Sequence, residues 1–485
     1  MPSPPCSCIV PAKHYGWIVV LMAGLACICS FPGNTFGIAF FVPSLQRELN
    51  LTHIEISMVW GGGVFVVATI LPFVGRMVDW QGPWRTIMVT TPALALACLL
   101  MSYVNSWWTL LALIAACRFF GIGLIYVASV RAANHWFVKK RGRVSVAIIV
   151  LFYLMMALPS VVHHFITEYG WRTTYRILAG FVLGGLCLVL LFIRDGPRHY
   201  NLLPDGDGPI RTNTTQEEQN KRERTVQEPR QHEEEKERRK EQCTDVQQKP
   251  RHSTDVEMHV IAALDRVDVG DVLDVPEKSY GIKESIRTSI FWILGINIFV
   301  VELYWCAVQF NVLYLFGELS TRAKLRDSDV VIVMVILSIA SGCSSICAGA
   351  TIECVRKRRQ KYNVPHNRGL LVLVALQMML TAISSILVCH VRDLSTAIVW
   401  SLLFSAMIGI QDVVMLVAFA EIFGNKKIAE LMGLVTAIMT LATTLGPFLG
   451  AHVMTNDTLE YLFYPVAIVA IVLVVMCFIV KDPTI

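Results

Sequence analysis

The sequence predicts an all-α membrane protein of twelve transmembrane helices in two six-helix halves. Three observations predict it: an apolar composition, twelve apolar runs of spanning length, and a one-sided distribution of Lys and Arg. Of 485 residues, 54% are hydrophobic and 16% are charged, and the mean hydropathy is +0.55. A soluble chain carries about 25% charged residues. So much apolar surface needs lipid to face. That disfavours a soluble enzyme, a nucleic-acid binder and a disulfide-stapled secreted domain.

A helix crossing a hydrocarbon core of about 30 Å needs about 20 residues. The runs in the first half are 16–41, 53–74, 86–103, 107–130, 144–165 and 174–193. Those in the second are 288–316, 330–352, 369–389, 395–420, 429–452 and 461–480. The first run is longer than the roughly 7–15 apolar residues of a signal peptide, so no cleavable leader is expected.

Orientation follows from Lys and Arg near the span ends. With the N-terminus inside, 17 basic residues lie inside and 7 outside, and Arg118 lies within a span. Both termini, 1–15 and 481–485, are therefore expected to be cytoplasmic. So is residues 194–287, which holds 17 Lys+Arg and 21 Asp+Glu. Its net −4 against +9 elsewhere means that the overall +5 is no sign of nucleic acid. A segment this polar, including QEEQNKRERTVQEPRQHEEEKERRKE, cannot bury enough apolar area to offset its ordering entropy. It reads as a disordered tether between halves 16–193 and 288–480.

Most of the fourteen cysteines sit inside apolar runs, where Cys behaves as a small hydrophobe, and no disulfide is expected. Cys6 and Cys8 are weak acylation candidates beside the membrane. Glycosylation sequons at Asn50 and Asn456 fall in expected outer loops, and that at Asn213 falls in the tether. Glycan on Asn213 would overturn the orientation. Neither a Walker loop, a His-Glu-x-x-His pattern nor a zinc-spaced cysteine pair occurs, so no cofactor or metal is expected.

The halves resemble one another. Gly75-Arg-Met-Val-Asp79 follows span two, and Gly349-Ala-Thr-Ile-Glu353 follows span eight. Trp136-Phe137-Val-Lys-Lys ends span four, and Ile422-Phe423-Gly-Asn-Lys-Lys427 ends span ten. A six-span unit repeated once is the architecture of repeat-built secondary transporters.

The loop GRMVDWQGPWR (75–85) resembles the signature loop of the major facilitator superfamily, with Trp80 where that family usually has Arg or Lys. Arg118-Phe-Phe-Gly121-Ile-Gly123 is similar to its fourth-helix motif, one residue shorter between Arg and Gly. His14-Tyr-Gly-Trp17, Gly170-Trp171-Arg172, Phe291-Trp292 and Gly446-Pro447 resemble the monocarboxylate-transporter and oxalate/formate-antiporter branch. The resemblance implies a secondary transporter working by alternating access on a small organic anion, such as a monocarboxylate, with a proton as coupling ion. It also implies that Asp79, flanked by Gly75, Arg76 and Arg85, latches the outward-facing state. Two departures stand out. Asn34 occupies the position of the monocarboxylate transporters' span-one Lys, and span eight (331–352) holds no charge.

A charge at mid-membrane costs roughly 2.5–3.5 kcal/mol even on the mild insertion scale. Arg118, Glu302 and Asp412 are the deep exceptions. Arg118 is expected to hold an anion, because its planar donors match a carboxylate and it stays charged. Glu302 is expected to carry a proton or to balance Arg118. Asp412, nearer the inner end, is read as a gating residue. Asn34, beside the breaker Phe31-Pro32-Gly33, and Tyr304 and Gln309 in span seven are expected polar contacts to the solute. Two alternatives stay open: the same fold carrying a different or neutral solute, and a transport-inactive sensor signalling through 194–287. The expected partners are a solute, protons and the bilayer, and the expected location is the plasma membrane.

Overall fold

The computed structural model describes residues 15–137, 141–197, 282–317, 320, 322–323, 325–362, 368–423 and 428–480. Among them every regular element is helical. Eleven helices are long and apolar enough to cross a membrane. The twelfth, Tyr15–Cys29, has 15 residues and is the first in the chain. It is short because Pro32-Gly33 breaks it. A 3₁₀ turn, Phe31–Gly33, is followed by the short helices Thr35–Ala39 and Val42–Leu49. The expected single run 16–41 is thus a broken span.

Other boundaries follow local chemistry. Span two runs His53–Gln81, opened by a Thr52/Glu55 capping box and ended by Gly82. The signature segment expected as a loop is therefore mostly the last turns of this helix, which ends at Gly82-Pro83. Span three is Pro83–Met101 and span six is Trp171–Phe192. Span four starts as Trp107–Arg118, widens into a π-helix over Phe119–Tyr126 and returns to an α-helix over Val127–Trp136. Span five is Arg141–Met155 and Leu158–Tyr169, interrupted before Pro159.

Span seven, Ser289–Phe310, breaks at Asn311 before Val312–Phe316. The opening span of each half is therefore broken. Spans eight to twelve are Asp327–Tyr362, Arg368–Val388, Leu394–Phe423, Ile428–Thr455 and Glu460–Ile479. The halves meet where span two packs on span eleven, span five on span eight, and Thr35–Ala39 on span seven.

Most of the expected tether, 198–281, lies outside the described residues. Its two ends do not behave as tether. Residues 194–197 are fastened to the first half, and Ile282–Ile286 is a helix leading into span seven. The boundary near 194 moves because backbone carbonyls there are used. Trp136 Nε1 donates to Arg194 O (3.2 Å), and His135 Nδ1 pairs with Asp195 O (2.8 Å).

Candidate functional site

The site grows from the break in span one. Gly33 lies against span four so closely that a Cβ would sit 2.6 Å from the Cys117 carbonyl oxygen. That approach brings the freed Gly33 carbonyl to Arg118, whose Nη1 donates to it at 3.2 Å. The guanidinium also lies over the Trp60 ring of span two, 5.4 Å from its centroid. A cation over an indole face gains about 0.5–2 kcal/mol, more as water is excluded. Among the described residues no carboxylate lies within ion-pair distance of Arg118. Most of its five donors have no protein acceptor.

Glu302 stands across the interface in span seven. Its Oε1 accepts from Thr443 Oγ1 of span eleven (2.9 Å) and from Cys306 Sγ (3.4 Å). It feels the charge of Arg118 without pairing with it. Both residues stay partly accessible although they lie deep among the spans. Gln309, seven residues on, shares the face of Glu302 because seven residues make almost two helical turns. It is fully buried, and neither of its amide atoms has a partner. Trp60 Nε1 is likewise buried and unpartnered.

Asn34 is buried at the break, and its Nδ2 reaches Met155 Sδ of span five at 3.5 Å. Tyr304 is elsewhere. It sits in the core of the second half, accepts from Trp400 Nε1 (3.0 Å), and packs edge-on to Phe404 and Phe463. Asp412 is deeper than expected. Span ten continues to Phe423, which places it about 16 Å from that end at about 1.5 Å per residue. It accepts from Tyr153 Oη of span five at 2.6 Å, a hydrogen bond between the halves. Ser338 of span eight donates to the Tyr153 carbonyl beside it. The structure thus sets Arg118 at the Gly33 break next to Asn34, with Glu302 within electrostatic range across the interface and Gln309 on the helix face of Glu302. It sets Asp412 in a second cross-half contact and Tyr304 in packing.

The packing of Gly75 and the side chains of Arg76 and Asp79 lie outside what the structure describes. Arg85 is exposed at the start of span three.

The chain thus has a broken opening helix in each half, halves joined by matched pairs of spans, and a deep cation beside the break in the first. The family profile of the Major Facilitator Superfamily matches residues 23–387. The chain belongs to this superfamily. It is therefore a multi-pass transmembrane transporter and not an enzyme. Among solved structures, the superfamily fold here is similar to a bacterial homolog of the human lysosomal transporter Spinster, crystallised inward-facing and unoccupied. The TM-score is 0.58 at 11% identity, over 96% of this chain and 97% of that one. At that identity the likeness is one of fold alone. The search of curated proteins returned no match.

Residues missed in the sequence include Trp60, Thr443, Tyr153 and His53. Trp60 and Tyr153 carry no charge to single them out in an apolar run, and His53 stands at a span start.

Proposed function

We propose that this superfamily member moves a small organic anion, of monocarboxylate size and polarity, by alternating access and together with a proton. The carrying observation is Arg118, a deep guanidinium with one backbone acceptor, an aromatic face beneath it and donors to spare. A planar carboxylate can use two of those donors at once. Glu302, held by Thr443 and Cys306 and within electrostatic range of Arg118, is the proton carrier. Its ionisation and the anion's arrival compete for the same cation, which couples the two. The sequence likeness to the monocarboxylate and oxalate/formate branch supports this size class, and the plasma membrane is the proposed location.

Uptake into reconstituted vesicles tests the reading with matched pairs of solutes, carboxylate against amide. A charged hydrogen-bond pair contributes about 1.5–3 kcal/mol, so Arg118→Ala should raise the carboxylate KM roughly tenfold or more. Arg118→Lys keeps charge without the fork and should fall between. Undiminished carboxylate flux in Arg118→Ala sinks the anion assignment. The nearness of Glu302 favours one second reading, a neutral solute bound between two mutually compensating charges. Equal flux of the amide would support it.

A further inference from the structure

We propose that His53 and Asn311 form an outer latch between the halves, and that a proton from the external side opens it. The latch joins the first turn of span two to the break in span seven. His53 Nε2 lies 2.6 Å from Asn311 Oδ1. The Asn311 amide is oriented by its donors: Nδ2 gives to the carbonyl oxygens of Ala307 (2.7 Å) and Pro447 (3.2 Å). Its oxygen therefore faces the ring. An amide oxygen only accepts, so Nε2 carries the imidazole proton and Nδ1 is the bare nitrogen.

Nδ1 is buried and has no hydrogen-bond partner. A second proton has only that atom to occupy. There it would create a buried N–H without an acceptor and a charge without a counter-ion, both costly. The surroundings add no relief. Span seven presents Phe310 and Tyr314, the latter stacked on the ring at 3.7 Å. Span eleven presents Pro447 and Gly450 around Asn311. On span two itself, Glu55 is exposed and held in the capping box with Thr52. Arg47, whose charge reaches Tyr314, is positive. The helix N-terminus at His53 is also the positive end of a dipole. Among the described residues, burial, the Arg47 charge and the helix dipole oppose a cation on the ring, and only the Asn311 oxygen, already bonded to Nε2, and an exposed Glu55 held in its capping box favour one.

The protonated ring is better served by water, and reaching water requires span two to part from spans seven and eleven at the outer end. The prediction is independent of the solute, so it fails separately from the transport assignment.

Hydrogen exchange on the full chain in nanodiscs, corrected for intrinsic rates, reads the latch. It is run at about pH 7.5 and about pH 5.5, either side of the ordinary histidine value near 6.5. Peptides over 53–60 and 307–316 should exchange about tenfold faster at the lower pH in the native protein, the effect of one pK unit of coupling. Span twelve should not change. His53→Gln keeps an N–H for Asn311 and cannot titrate, so its rates should match at both pH values; His53→Asn serves the same comparison if Gln does not fold. Equal corrected rates in the native protein overturn the proposal without any variant. An acid response that persists in the variant overturns it as well.

Discussion

The first half turns two tight corners, on opposite membrane faces, that are built alike and fastened differently. The inner corner is Gly82-Pro83-Trp84-Arg85, between spans two and three. The outer corner is Gly170-Trp171-Arg172, between spans five and six. Each glycine has φ near +80° (83° and 77°) with extended ψ, a region open essentially to Gly alone. Each Trp hands its indole N–H to the other three-span unit. Trp84 gives to Leu190 O at the end of span six (3.1 Å), and Trp171 gives to Glu48 beyond span one. This is the inverted-repeat relation of spans one to three with spans four to six, written in side chains.

The fastening separates them. At the outer corner Arg172 pairs with Glu48 (2.7 Å) and donates to the carbonyls of Ser102 and Val104. At the inner corner the acid is Asp195, which caps the Trp84 backbone N–H (2.7 Å), and Arg85 is left exposed. The outer corner is closed by charge within its own half. The inner corner is closed by a helix cap supplied from three residues beyond span six, and its Arg stays exposed.

Breaking the comparison starts with the glycines. Gly82→Ala should cost the most. It adds about 1–3 kcal/mol of backbone strain, and its Cβ meets the Asp195 carboxylate at 3.2 Å. Gly170→Ala carries the same strain with nothing within 4 Å, so its loss of thermal stability in detergent should be smaller. Equal losses would mean that Asp195 yields freely. Next, Asp195→Ala removes a cap and should cost about 1 kcal/mol, measured in the same melts. Glu48→Gln should cost less, because the pair is partly exposed and Arg172 keeps its carbonyls.

The smallest effect is acid. The Arg172 guanidinium, then the Trp171 indole, hold the Glu48 carboxyl below its ordinary value of 4.5. A lowered folded value stabilises above the unfolded one and is lost as pH falls through it. The outer corner should therefore loosen only below about pH 4.5, and Glu48→Gln should remove that dependence from the melts.

Much of this was legible in the residues, and the rest was hidden for physical reasons. Hydropathy and basic residues carry the spans and their orientation, because lipid selects on both. Pro32-Gly33 announces the break in span one. The break at Asn311 has no such residue; it rests on carbonyls of Ala307 and Pro447, a tertiary arrangement. Tyr304 was expected beside the solute, but it stands two residues after Glu302, about 200° round the helix at about 100° per residue, and so faces the core of its own half. Arg118 and Glu302 stood out because charge is costly in lipid. Trp60 and Thr443 did not, since neither is unusual there. The two corners were visible as Gly-Pro-Trp-Arg and Gly-Trp-Arg, yet only the structure shows that they answer one another.

The π-helical stretch Phe119–Tyr126 follows directly on Arg118. A wide turn accommodates one more residue than an α-turn does, so span four carries register slack at mid-depth. Sliding that wide turn by one position toward the outer end would swing Arg118 about the axis by up to about 100°, the angle per residue of a helix, without unfolding either flank. The same side chain would thus have two headings, with the Trp60 ring marking one of them.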